Sequence, residues 1–251
     1  MSLVLVDIHE RVATVTLNDP DRRNVFTMEM NEALIPIVEE LENNDDVGAL
    51  VVTGAGPHFS AGGHLDDLLN AETHEEMHAI YSGFLKVAHT SLPTVAAVNG
   101  AAVGAGMNCA LACDLIIAGE KSRFDSRFLQ IAIHPGGGHT WRLRNKTDIQ
   151  TAKAMVLFSE VLFGPQAKEV GLAWDCVPDD QIVSRAQELA AKAAAAPKEL
   201  VARTKSSLNQ SWKITESQDS VVLEVEPQVW SMAQQEFKDL VNRLKANISS
   251  K

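Results

Sequence analysis

This 251-residue chain is poor in cysteine: there are three, and two of them, Cys109 and Cys113, stand one helical turn apart inside the apolar run MNCALAC. That placement suits reduced core residues and excludes a disulfide framework, so a cytoplasmic location is expected. No stretch approaches the roughly 18 uninterrupted apolar residues of a membrane helix. The opening MSLVLVDIHERVATV is broken by Asp7, His9, Glu10 and Arg11, so it reads as neither signal peptide nor membrane span. Positive charge is also in deficit. A net charge of −11 argues against nucleic acid and anionic membranes as partners, while leaving room for a local basic patch around an anionic small molecule. Gly104 and Gly106 lack the third glycine of G-x-G-x-x-G, and no G-x-x-x-x-G-K-[ST] occurs, which excludes the common dinucleotide and triphosphate sites.

What the chain has is a hydrophobic fraction of 45%, ample for one main domain with a helical extension. Leu3–Ile8 and Val12–Leu17 alternate in polarity and predict a hairpin. Thr27 is placed to cap a helix with Met30, Leu34, Ile37, Val38 and Leu41 on its apolar face, and Met77, Ile80, Tyr81, Phe84 and Val87 mark a second. The runs Ala49–Thr53, Thr94–Val98 and Leu115–Ala118 read as buried strands. From DQIVSRAQELAAKAAAA onward the pattern is helical, with Pro197 and Pro227 as breaks or first-turn residues.

Two glycine-rich turns, FSAGGHL (59–65) and NGAAVGAGMN (99–108), follow the first two buried runs. Glycine permits positive φ and close backbone approach, so such turns can aim amide hydrogens at one oxygen, and the second turn opens a helix whose N-terminus favours negative charge. Paired amides of this kind suit chemistry on a carbonyl or thioester.

Together, RRNVF (22–26), FSAGGHLDDL, VAAVNGAAVGAGMNCALACDLIIA and FGPQAKEVGLAWDCV resemble, over nearly the whole chain, the crotonase family of enoyl-CoA hydratases and isomerases. The resemblance implies an α/β fold, a spiral of ββα units over residues 1–195 with a C-terminal helical oligomerisation segment at 196–251, in homotrimers or dimers of trimers. It implies a lyase or isomerase whose substrate is an acyl-CoA thioester, with coenzyme A belonging to the substrate and no tightly bound cofactor or metal. The thioester oxygen would rest on the amides of Gly63 and Ala105, and the CoA portion against Arg23, Val25, Phe26, Ala61, Gly63, His64 and Leu65.

The departures bear on the chemistry. Asn108 and Phe128 occupy the positions of the family's two usual glutamates, and Gly136 the position where relatives with altered chemistry carry an acid. An amide oxygen is far too weak a base to replace a carboxylate. General acid–base catalysis typically contributes 10²- to 10⁴-fold, so ordinary hydratase activity is not expected and a catalytically silent acyl-CoA-binding protein is the alternative. A hydrolase acting on a carbonyl or carbon–carbon bond without CoA is a third reading. Of the substitutes, His134 is the candidate acid or base; His64 and His139 also sit by the turns, and Asp66, Asp67 and Asp125 are acidic alternatives. Arg22 and Arg23 could pair with CoA phosphates or with Asp19 and Asp21, and Arg127, Arg142, Arg144 and Lys146 add positive charge near the PGGG turn. His74-Glu-Glu-Met-His78 matches the zinc-helix pattern H-E-x-x-H, but it lies in a polar stretch and is read as a solvated helix face.

Overall fold

The computed structural model describes residues 2–249. They form two compact units divided between Ala195 and Ala196.

The first unit begins with β1 (Val4–His9) and β2 (Val12–Leu17), an antiparallel hairpin closed by Glu10 and Arg11 at φ 47° and 66°. Two consecutive positive φ values give the tight turn whose twist matches the strands it joins. Helix α1 (Met28–Asn43) is capped by Thr27 Oγ1, which accepts from the Met30 amide at 3.1 Å. Next come β3 (Ala49–Gly54), β4 (His58–Ser60), α2 (Leu65–Asn70) and α3 (His74–His89). Reciprocal bonds between Thr73 and Glu76 set the start of α3. The strand, strand, helix order repeats in β5 (Thr94–Val98), β6 (Ala101–Val103) and α4 (Ala105–Ala112), and again in β7 (Leu115–Gly119), β8 (Arg123–Asp125) and α5 (His139–Lys146). The unit closes with α6 (Ile149–Leu157), β9 (Leu162–Phe163), α7 (Gly164–Glu169), β10 (Asp175–Val177) and α8 (Ile182–Ala194).

Within each repeat the first strand joins one sheet and the second joins another. The large sheet runs β1-β2-β3-β5-β7-β10 and is parallel after the opening hairpin; the small one runs β4-β6-β8-β9. This is the expected spiral of strand–strand–helix units. The central strands β3, β5 and β7 of the large sheet are buried on both faces, which is why they read as continuous apolar runs. Leu50, Val52, Ala96, Val98 and Ile116 face the core shared with α1, α3 and α4. Ala49, Val51, Val95, Ala97 and Ile117 face α8, whose Ala186, Ala190 and Ala194 form a stripe of small side chains. The approach there is close: a Cβ placed on Gly48 would lie 2.8 Å from Ala194 Cα.

The second unit holds α9 (Lys198–Ser211), α10 (Ser217–Ala233) and α11 (Gln235–Ser249). Pro197 precedes α9 as expected, but Pro227 neither breaks nor starts a helix. It lies inside α10, which ends at Gln234 where ψ turns to 151°. A proline within a helix removes one donor and strains one turn, a local cost of about 3 kcal/mol that need not end the helix. Arg203 stacks over the Trp230 ring at 4.3 Å and pairs with Glu199 at 2.8 Å.

Candidate active site

Three short parallel strands build the site. Register pairs His58 with Ala101 and Ser60 with Ala102, and then Ala101 with Arg123 and Val103 with Asp125. The carboxyl ends of β4, β6 and β8 therefore release their loops side by side, the position at which parallel α/β sheets generally hold ligands. Those loops wall a cavity of about 600 Å³. From the first come Ala61, Gly62, Gly63, His64 and Leu65; from the second Gly104, Ala105 and Asn108; from the third Ser126, Arg127 and Phe128. Val25, Ile80, Tyr81, Ile133 and His134 complete much of the remaining wall.

Positive φ falls immediately before each candidate amide donor, at Gly62 (φ 111°) and Gly104 (φ 50°). Phe26 N–H donates to Gly62 O at 2.8 Å and His64 N–H to Phe26 O at 3.0 Å, a bridge in which the intervening Gly63 amide takes no part. Ala105 opens α4, where a first-turn amide has no intrahelical acceptor. The two turns touch: a Cβ on Gly62 would lie 3.7 Å from Ala105 N and 2.9 Å from Val103 O, and one on Gly63 would lie 3.8 Å from Ala105 Cβ. The steric demand for glycine thus rests on Gly62 rather than on Gly63, whose hypothetical Cβ meets only ordinary contacts.

The RRNVF segment is fastened to this loop by a residue that the motif did not single out. Asn24 is fully buried; its Nδ2 donates to Ala55 O at 2.9 Å and His58 O at 2.8 Å, and its Oδ1 accepts from Asp19 N at 2.9 Å. Val25, Ala61, Gly63, His64 and Leu65 line the cavity, whereas Phe26 does not: it lies in the core, edge-on to Phe84 at 6.2 Å. Arg22 rather than Arg23 lines the cavity, and it also pairs with Asp19 at 2.7 Å.

Asn108 and Phe128 converge on a third residue. Phe128 packs edge-on to the His139 ring, with centroids 4.8 Å apart, and Asn108 Oδ1 lies 2.7 Å from His139 Nδ1. His139 Nε2 lies 2.9 Å from Ser126 Oγ. Asn108 Nδ2 faces Gly136 O at 3.1 Å. A carbonyl can only accept, so the amide nitrogen points at Gly136 and the amide oxygen at His139; Nδ1 then carries the proton and Nε2 offers its lone pair to the Ser126 hydroxyl. Burial pushes the imidazole down from 6.5 to about 4, which keeps it neutral at physiological pH. His139 and Ser126 are 1% and 2% exposed, and only Ser126 of the two meets the cavity.

His134 lines the cavity, is exposed, and donates its Nδ1 hydrogen to Pro135 O at 2.8 Å. A side chain at Gly136 would strike the Tyr81 hydroxyl, 2.0 Å from the position of its Cβ, so an acid there would require that tyrosine to move. Burial raises the Tyr81 phenol. Asp125 is buried and engaged: Arg123 donates to its Oδ2 at 2.7 Å, and Arg127 binds the same oxygen. His64 Nδ1 stands 3.4 Å from Asp67. His74 and His78 are exposed on α3, and no cluster of three metal-ligating side chains occurs among the described residues.

Residues 7–245 match the family model for enoyl-CoA hydratase/isomerase, and the chain belongs to that family, with the crotonase fold. It is 42% identical over 242 residues to a protein named probable enoyl-CoA hydratase EchA14 of Mycobacterium tuberculosis, covering 93% of this chain and 94% of that one. It is 34% identical over 224 residues to 2,3-dehydroadipyl-CoA hydratase of Escherichia coli, covering 85% and 84%. Among solved structures, DspI of Pseudomonas aeruginosa superposes with a TM-score of 0.91 at 27% identity, covering 98% of this chain and 95% of that one.

Proposed function

We propose that this chain binds an acyl-CoA thioester in the cavity, polarises its carbonyl between the amides of Gly63 and Ala105, and stabilises the resulting enolate or other oxyanion with acid and base groups unlike those of an ordinary hydratase. The observation that carries this reading is the meeting of the two turns at Gly62 and Gly104, each setting a main-chain amide at the cavity wall. Preorganised amides of this kind favour developing negative charge without reorganising at the moment of reaction. Coenzyme A enters as part of the substrate, with Arg22 at the cavity and Val25, Ala61 and Leu65 as apolar wall. Relatives named as hydratases of CoA thioesters support the substrate class.

Asn108 and Phe128 support a second reading, an acyl-CoA-binding protein without turnover, because neither side chain accepts a proton. Residues 196–251 are read as an oligomerisation segment for homotrimers or dimers of trimers; Trp212, Val222, Val229 and Leu244 are exposed apolar side chains there. A cytoplasmic location accords with Cys109 and Cys176 as free thiols. Titration calorimetry with crotonyl-CoA and octanoyl-CoA tests the proposal. A micromolar dissociation constant, roughly −8 kcal/mol, is expected. No heat and no competition up to millimolar concentration would remove CoA from the account.

A further inference from the structure

The Asn108–His139–Ser126 chain has the arrangement of a nucleophile, its base and the group that orients the base. The serine hydroxyl is within hydrogen-bond reach of Nε2, at 2.9 Å, and Nδ1 is held by the amide oxygen at 2.7 Å. Phe128 packs against the imidazole, and His139 does not itself line the cavity; of its partners there, Ser126 is the one that offers a hydroxyl. Ser126 directly follows Asp125, whose carbonyl accepts from Gly104 N–H at 2.9 Å, so the hydroxyl-bearing residue sits one strand away from the turn that presents Ala105. The neighbouring carboxylate of Asp125 is already engaged by Arg123 and Arg127. Ser126 lies in a strained loop, with Arg127 at φ 58° next to it, a feature that clusters at functional sites.

We infer that Ser126 is a nucleophile toward the thioester carbonyl, with His139 as its base and Asn108 as the residue that positions His139, so that the chain hydrolyses acyl-CoA to a carboxylic acid and free coenzyme A. The inference rests on the acyl-CoA reading of the cavity. In the first half-reaction Ser126 Oγ bonds to the carbonyl carbon as its proton passes to His139 Nε2, and the oxyanion rests on Gly63 and Ala105. The carbon–sulfur bond then breaks, and the thiolate leaves with the proton from His139. In the second, water attacks the acyl-serine ester, giving its proton to Nε2, and Ser126 leaves with that proton as the free hydroxyl. Atoms and charge balance with water as the only co-reactant.

The test uses the full chain. A fluorophosphonate reagent is added and peptides are mapped by mass spectrometry, while thiol release from acetyl-CoA, octanoyl-CoA and benzoyl-CoA is followed with a disulfide dye. Stoichiometric labelling of Ser126 is expected, absent in S126A, along with thiol release that falls about 10³-fold or more in S126A. N108A is expected to lower kcat about tenfold or more while leaving KM within about threefold, a split that a merely structural role would not give. Because S126A removes only a hydroxyl, its melting temperature and its calorimetric affinity for octanoyl-CoA report whether it folds. A protein that binds acyl-CoA yet shows neither a Ser126 adduct nor thiol release overturns the inference and leaves the proposed function standing. A Ser126 adduct without any acyl-CoA binding keeps the nucleophile but overturns CoA as its substrate.

Discussion

Acidification should weaken the fold through His139 before it touches the carboxylates. The imidazole is buried against Phe128 and hydrogen-bonded in its neutral form on both nitrogens, and its pKa is pushed from 6.5 to about 4. The folded pKa is the depressed one, so as pH falls below 6.5 the unfolded chain takes up the proton first. The stability present above 6.5 is therefore lost as pH falls toward about 4. Integrating the difference in proton binding gives about 2 kcal/mol lost between about pH 8 and about pH 5, and little change above about pH 7.5. Carboxylates held below their ordinary values, such as Asp175 with its hydrogen bond from Lys168, act in the same direction, but only below about pH 4.5, where unfolded carboxyls titrate. Urea unfolding followed by circular dichroism at several pH values measures the slope. His139→Gln, although less stable at every pH, should flatten it. If the variant keeps the full difference between about pH 8 and about pH 5, His139 is not the group responsible and its burial has been misread.

Gly63→Ala should fold and bind normally, since its Cβ would meet nothing closer than 3.7 Å, whereas Gly62→Ala should lose roughly 1 to 3 kcal/mol in denaturant unfolding, because φ 111° suits glycine and Val103 O lies 2.9 Å from the new atom. Gly63→Pro should fold but lower the rate on whichever acyl-CoA is turned over by about 10²- to 10³-fold, through loss of one amide donor; an unchanged rate in the folded variant refutes the oxyanion role. Crotonyl-CoA hydration, followed by loss of enoyl absorbance, should run several orders of magnitude below that of an ordinary hydratase, given Asn108 and Phe128 at the two positions; turnover in the ordinary range would show that other residues carry the protons. Asn24→Ala should cost roughly 1 to 3 kcal/mol in thermal or urea unfolding, because half-buried partners at Asp19, Ala55 and His58 are left unpaired; a cost near zero would mean that water replaces the side chain.

Strands β3, β5 and β7 were legible because burial on both faces leaves an unbroken apolar run, and α1 and α3 because their buried side chains recur at helical spacing. The small sheet was not. Ala101–Val103 lies inside what reads as one glycine turn, and His58–Ser60 and Arg123–Asp125 are also three residues each, too short to show any period. The paired turns could be read as an amide-presenting site, but not which glycine is sterically obliged, since that depends on Val103 O arriving from another strand. His139 stood out only as one of several histidines near the turns. Its partners lie 13 and 31 residues away, and nothing local distinguishes Ser126 from any other serine. Tyr81 was legible as a helix-face residue, but its contact with Gly136 was not.

The candidate grip on the carbonyl is written in backbone torsions rather than in side chains. Gly62 and Gly104 shape it, and the donors at 63 and 105 are amides that every residue except proline possesses. A lineage can therefore exchange whatever stands at 108, 126, 128 and 139, and with it the fate of the bound acyl group, while the polarising contact is inherited unchanged. Divergence in such a scaffold is cheap at the side chains and nearly forbidden at two glycines, so the reaction can drift while the handle stays put.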